Sequence, residues 1–128
     1  NKLGLVRYIS LYTIQIGKWR KAKALGFEVL NITVMNGERR LAPTWDLLRA
    51  WQKGEISKEE YRTEYFWLMR ESLKANREFW LALAEKETLV LGCYCAPGCF
   101  CHRLELVGIL IKFLKSLNKE IKYCGEIE

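Results

Sequence analysis

The 128-residue chain is expected to fold as a single α/β domain over residues 1–128. The form expected is a three-layer sandwich, with a small, mainly parallel sheet of about four strands flanked by helices. Three observations carry that expectation. Short β-branched or aromatic runs alternate with longer stretches whose apolar residues recur at helical spacing. Half of the residues are apolar, with 5 Trp, 6 Tyr and 5 Phe among them, which is enough material for one core and too little chain for two. No Pro-, Gly- or Ser-rich linker, low-complexity run or internal repeat divides the chain.

Residues 3–14 read as the first strand and its exit, rich in β-branched and aromatic side chains. Residues 17–25 form a short basic helix with Lys18, Arg20, Lys21 and Lys23 around Trp19, and Gly26 stands where a capping glycine belongs. Four cations within six residues suit either a solvated helix face or a phosphate-binding surface. Residues 27–34 are the second strand. The formal sequon Asn31-Ile32-Thr33 lies inside it and is discounted as a glycosylation site. A loop over residues 35–43 carries Arg39 and Arg40; Thr44 caps the next helix, with Asp46 in its first turn and an end near Gly54. Ser57 and Glu60 make a capping-box pair, and the helix they open sets Tyr61, Tyr65, Leu68 and Met69 on one side as core. Asn76 caps a short helix carrying Phe79, Trp80 and Leu83. Thr88 to Leu91 form the third strand, Leu104, Val107, Ile111 and Leu114 mark a further helix, and residues 120–124 are the last strand. Strands alternating with helices imply right-handed crossovers and parallel pairing.

Between the third strand and its following helix lies Cys93-Tyr94-Cys95-Ala96-Pro97-Gly98-Cys99-Phe100-Cys101-His102-Arg103, with four of the five cysteines and the only histidine. The Ala96-Pro97-Gly98 segment must reverse the chain. A helix start welcomes an anion, and His102 and Arg103 would add donors to it. Ligands of open parallel sheets sit beyond the strand carboxyl ends. Four segments follow those ends: Tyr12 and Thr13; residues 35–46, which carry Arg39, Arg40 and Asp46; residues 93–103; and Glu126. Arg103, Arg39, Arg40, Tyr12 and Thr13 are therefore the candidate ligand-binding residues. Asp46, Glu126 and His102 are the candidates for acid/base work.

Three chemistries suit the cysteines. A phosphatase- or rhodanese-type loop needs a nucleophilic Cys at the strand end and an Arg at the helix; the spacing here is too long from Cys95, with seven residues between, and too short from Cys101, with one. Cys93, Cys95, Cys99 and Cys101, with His102, could hold a metal, zinc for such a donor set, although paired C-x-C is not the usual knuckle. The thiols can also be buried apolar groups or a disulfide, leaving His102 and Arg103 to face ligand. The third reading is favoured.

A net charge of +6 makes a phosphorylated small molecule or a nucleic acid the natural partner class. The longest apolar runs fall far short of the roughly 18 residues that span a bilayer, so no membrane role is expected. With no secretory signal read at the start, the expected setting is the cytoplasm, that of a host cell if the source is viral. Acidic residues are nearly all Glu, Asp46 being the single Asp, a bias seen in proteins of hot environments. The function expected is a nucleotide- or anion-binding crevice centred on Cys101, His102 and Arg103, in a binding protein or an enzyme acting on a nucleotide or nucleic-acid component. A non-enzymatic nucleic-acid-binding module and a zinc-stapled interaction domain are the alternatives; oligomeric state is open.

Taken together, the run from Leu91 to Arg103, Gly17-Lys18-Trp19-Arg20, Ala42-Pro43-Thr44-Trp45-Asp46 and Tyr123-Cys124-Gly125-Glu126 resemble the domain of unknown function 488 family of small prokaryotic and phage proteins. The most specific part is the strand ending in cysteine and the Cys101-His102-Arg103 helix start. The resemblance implies an α/β fold and a cytoplasmic setting, and assigns no activity. Cys93 and Cys99 make this chain richer in thiols than the family's minimal pattern.

Overall fold

The computed structural model describes residues 8–95 and 100–128. Its elements run β1 (Tyr8–Gln15), a 3₁₀ turn (Ile16–Lys18), α1 (Trp19–Ala24), β2 (Val29–Asn31), a second 3₁₀ turn (Arg39–Leu41), α2 (Trp45–Gln52), α3 (Lys58–Ala75), α4 (Arg77–Leu83), β3 (Thr88–Cys93), α5 (His102–Ser116) and β4 (Glu120–Ile127). The strands form one sheet in the order β2-β3-β1-β4 with every pairing parallel, so the expected α/β architecture is present.

Successive strand residues face opposite sides of a sheet, and that alternation builds two cores. On one side Ile9 and Leu11 of β1 and Leu89, Leu91 and Cys93 of β3 pack with Tyr65 and Met69 of α3, Trp80 of α4 and Leu106, Leu110 and Leu114 of α5. On the other side Ile14 and Val90 pack against Ala22 of α1, with Tyr12, Phe27 and Val29 at the margin. The crossover from β1 to β2 runs along the sheet in the direction opposite to those from β2 to β3 and from β3 to β4. Right-handed connections therefore put α1 on one face and α2 to α5 on the other.

Capping follows expectation at Thr44 and Ser57 but not at Asn76, whose side chain makes no cap bond to α4 because its amide donates back to the Ser72 carbonyl at 3.1 Å. Thr44 Oγ1 accepts from the Leu47 amide at 3.1 Å. Ser57 and Glu60 exchange both bonds of a capping box, at 3.1 and 2.9 Å. No helix among the described residues is long and apolar enough to cross a membrane.

Element bounds depart from expectation in four places. The second strand is only Val29–Asn31, because Asn31 Oδ1 turns back to accept the Thr33 amide at 2.9 Å and its hydroxyl at 2.7 Å, competing with the ladder. β1 continues to Gln15, so Tyr12 and Thr13 lie within the strand instead of after it; β1 has a parallel neighbour on each side to hold it. β4 runs to Ile127 and takes in Glu126, with a register shift opposite Leu11 and Tyr12 where Gly125 adopts φ 100°. The basic helix begins as a 3₁₀ turn and becomes α-helical only over Trp19–Ala24. The expected strand start at residues 3–7 and the Ala96-Pro97-Gly98 reversal lie outside the described residues.

Candidate functional site

Cys93, the last residue of β3, is in register with Gln15, the last residue of β1. These neighbouring strands send the chain away in opposite directions, so their carboxyl ends flank the switch point at which open α/β sheets leave a crevice. The alternation Leu89, Leu91, Cys93 turns the Cys93 thiol toward the α5 side of the sheet. There it meets the start of α5, whose N-cap is Cys101 and whose first two residues are His102 and Arg103.

Cys93 Sγ lies 2.6 Å from Cys101 Sγ and 2.7 Å from Arg103 Nη1. All three residues are almost completely buried, Arg103 to 1 % exposure. A buried guanidinium needs anions, and Arg103 has two: its Nε and Nη2 reach the Glu126 carboxylate at 3.3 and 3.1 Å, and Nη1 serves Cys93 while also donating to the Cys95 carbonyl at 2.8 Å. The Cys101 thiol donates to Cys93, a second thiol at Cys95 does likewise, and Arg103 adds its donor; together these outweigh burial and hold Cys93 far below the ordinary thiol range. Cys101 moves the opposite way, because its proton is held by Cys93. The two sulfurs thus share one negative charge, resident on Cys93.

Glu126 is itself fixed. Thr13 Oγ1 donates to Glu126 Oε1 at 2.7 Å, leaving the Tyr123 hydroxyl, also 2.7 Å away, to donate to Thr13. His102 Nε2 sits 2.7 Å from the Ile32 carbonyl oxygen, which assigns the ring proton to Nε2 and leaves the Nδ1 lone pair 3.7 Å from Cys101 Sγ. Burial lowers the His102 pKa, so the ring is neutral.

Above these groups is a cavity of about 230 Å³ lined by Cys93, Cys95 and His102 together with Met35, Trp45, Leu48 and Tyr94. The first group is buried or half-buried. Met35, Trp45 and Tyr94 are 66, 41 and 51 % exposed, so they form the rim of the cavity. A second cavity of about 320 Å³ shares Val34, Pro43 and Trp45 with it and carries Arg39.

Several expected site residues are thus brought together. Arg103, Glu126, Thr13 and His102 meet the cysteines, while Arg39 is one wall away. Others stand apart. Asp46 lines a different cavity of about 560 Å³ with Glu59, Glu60 and Glu64, which shares no residue with the Cys93 cavity. Arg40 is bound by both oxygens of Glu38 and stacks 3.8 Å above the Phe79 ring. Tyr12 stacks on Phe27 at 5.1 Å, on the α1 face of the sheet. Of the metal candidates, the sulfurs of Cys93, Cys95 and Cys101 lie within 4.8 Å of one another and are close enough to bind a metal ion; Cys99 lies outside the described residues.

Trp45 and Tyr94, which wall the cavity, were not singled out by sequence. The period-2 run ending in Cys93 was the available signal, since it points Cys93 inward and leaves Tyr94 to the rim.

Fold and site together define a parallel α/β protein with a buried cysteine–arginine–glutamate centre at its topological switch point. The chain belongs to the DUF488-N3a family, whose model, described as the Active DUF488-N3 subclade, matches residues 33–115. That span takes in residues 93–103 and excludes β1, α1, β2 and β4. No curated protein and no solved structure matches the chain.

Proposed function

We propose that the protein is an enzyme acting on a nucleotide or nucleic-acid component held in the aromatic-rimmed cavity, with Cys93 as its reactive thiol. The observation that carries this reading is the 2.7 Å contact of buried Arg103 Nη1 with Cys93 Sγ, a residue that lines a cavity at the carboxyl end of β3. A thiol kept as thiolate by a buried guanidinium is the form that acts as nucleophile, and maintaining a buried charge pair merely for packing costs stability. The designation of the subclade as active supports catalysis over binding alone. In this reading Arg103 does hold an anion, but an internal one; its task is to position and activate Cys93. Trp45 and Tyr94 suit a planar base, and Arg39 in the adjoining cavity suits a phosphate. Cys101 supplies the proton that keeps the charge on Cys93, while neutral His102 ties the start of α5 to the Ile32 carbonyl.

The test is protection of a thiol. Nucleosides, nucleotides and their fragments are screened for slowing iodoacetamide labelling of Cys93 relative to exposed Cys124, read by peptide mass spectrometry. At least one should protect Cys93, and the compound that does so should be turned over by the wild type and not by Cys93→Ser. Labelling of Cys93 no faster than that of Cys124 at pH 6, or turnover retained in Cys93→Ser, overturns the reading.

The three-thiol cluster supports a second reading, a zinc centre. Cys93, Cys95 and Cys101 fit a soft-ligand site and would hold the ion, which would then serve as staple or Lewis acid. About one zinc per chain by elemental analysis, with a chelator lowering the melting temperature, would favour it over the free thiolate.

A further inference from the structure

We infer that the substrate is a single-stranded nucleic acid that runs from the Cys93 cavity onto the α1 face, with a base against Trp19 and its phosphates on Lys18, Arg20, Lys21 and Lys23. The inference rests on the thiolate reading above and names its substrate class. α1 follows directly from the carboxyl end of β1, so it begins on the same edge of the sheet as Cys93. The approach is close: a Cβ at Gly92, one residue before Cys93, would come within 3.0 Å of Ile16 Cγ1 in the turn that leads into α1.

Trp19 is 40 % exposed and lies under two cations, Arg20 at 4.7 Å and Lys23 at 5.6 Å from its ring centroid. Among the described residues Lys18, Arg20 and Lys23 make no ion pair with a carboxylate, and Lys21 reaches only the Glu128 carbonyl. A merely solvated helix face has no need of an exposed indole at its centre. An indole set among unpaired cations, by contrast, offers a stacking surface ringed by phosphate contacts. Beside it is a cavity of about 550 Å³ walled by Trp19, Lys23, Phe27 and Asn31, with Glu28 as its one carboxylate.

A polar bridge joins the two cavities. Asn31, on the wall of the α1 cavity, donates to Asn36 Oδ1 at 3.0 Å, and the same oxygen accepts from the Tyr94 hydroxyl at 3.2 Å; Tyr94 is a wall of the Cys93 cavity. Two aromatic-walled hollows, two hydrogen bonds apart and with the α1 cations beside one of them, match an unpaired strand whose bases turn into the protein. A duplex keeps its bases stacked inside, and an acidic peptide would satisfy the cations and leave the aromatic walls without a partner.

The experiment uses the full chain and a fluorescein-labelled mixed-sequence 12-nucleotide single strand, read by anisotropy from low to high salt. Affinity should fall with salt at a slope of roughly −0.7 per phosphate engaged. Joint Lys18→Gln, Arg20→Gln, Lys21→Gln and Lys23→Gln should cut that slope to less than half. Trp19→Ala should weaken binding by about ten-fold or more at unchanged slope, and Trp19→Phe should restore most of it. Circular dichroism and melting temperature check that these exposed changes leave the fold intact. The strand should also protect Cys93 from iodoacetamide more strongly than a mononucleotide does.

Three results overturn the inference: equal affinity for the matching duplex, equal competition by polyglutamate, or Trp19→Ala binding as well as wild type. Mononucleotide protection of Cys93 without tighter binding of the strand removes the substrate assignment and leaves the thiolate reading standing. Strand binding with no protection of Cys93 by either ligand removes the thiolate reading and the assignment with it.

Discussion

At the scale of single residues the site turns on which sulfur carries the charge. Three thiols within 4.8 Å cannot all ionise, and Cys93 is favoured because the Cys101 and Cys95 thiols donate to it and Arg103 adds a donor 2.7 Å away. Iodoacetamide labelling of Cys93 should therefore stay fast well below the ordinary thiol range. Arg103→Met should move the pH–rate profile upward and, by leaving Glu126 without its buried partner, cost about 3–5 kcal/mol in denaturant unfolding. Arg103→Lys keeps the charge but loses the fork that serves Cys93 and Glu126 together, so its profile should lie between the two. Sulfur proximity has a second consequence. With oxidised glutathione, Cys93 thiolate should displace one glutathione thiolate to form a mixed disulfide, and Cys101 should then displace the second. Peptide mapping should find Cys93 joined to Cys101 in preference to exposed Cys124, with two hydrogens lost per chain; a lasting glutathione adduct on Cys93 would contradict that geometry.

At the scale of elements, β4 brings the carboxylate. Its ladder to β1 slips between Leu11 and Tyr12, and Gly125 absorbs the slip with φ 100°, a conformation that costs an L side chain roughly 1–2 kcal/mol. Without the slip, alternation would put Glu126 on the opposite side from the position it needs beside Thr13 and Arg103. Gly125→Ala should lower stability by about 1–2 kcal/mol in urea unfolding and also raise the pH midpoint of Cys93 labelling, because Arg103 loses its anchor. A purely local strain would change the first measurement alone. The capping box of α3 serves as a reference for an effect remote from the site: Ser57→Ala should cost about 1 kcal/mol and leave Cys93 labelling untouched.

At the scale of the whole molecule, the buried ring of His102 links folding to pH. Its folded pKa is lowered from 6.5, so below 6.5 the unfolded chain takes up a proton that the folded chain refuses. Stability is full above that value and falls as the pH drops beneath it, until the folded ring also protonates. Melting temperature should therefore decline between pH 7 and pH 5. His102→Gln, whose amide can still donate to the Ile32 carbonyl, should flatten the decline. Cys93 contributes a slope of the same sign, since its folded pKa is also depressed, but that slope is common to both proteins and drops out of the comparison. Equal slopes in the two proteins would mean that His102 takes up its proton in the fold as readily as in the unfolded chain.

The amino-acid sequence by itself determined the alternation of strands and helices, the caps at Thr44 and Ser57, and the crowding of cysteines between a strand and a helix. All of these rest on short-range physics: hydrophobic period, capping oxygens, and a strand feeding a helix. Only the tertiary structure decided that Cys93 is the charged sulfur, that Arg103 faces inward to Glu126 across 23 residues of chain, and that Asp46 and Arg40 stand away from the site. A carboxylate's partner depends on strand register and on bulges such as the one at Gly125, which composition and spacing do not encode. The charge state of a thiol depends on which donors the fold aims at it, and here those donors come from opposite ends of a turn and from the helix behind it.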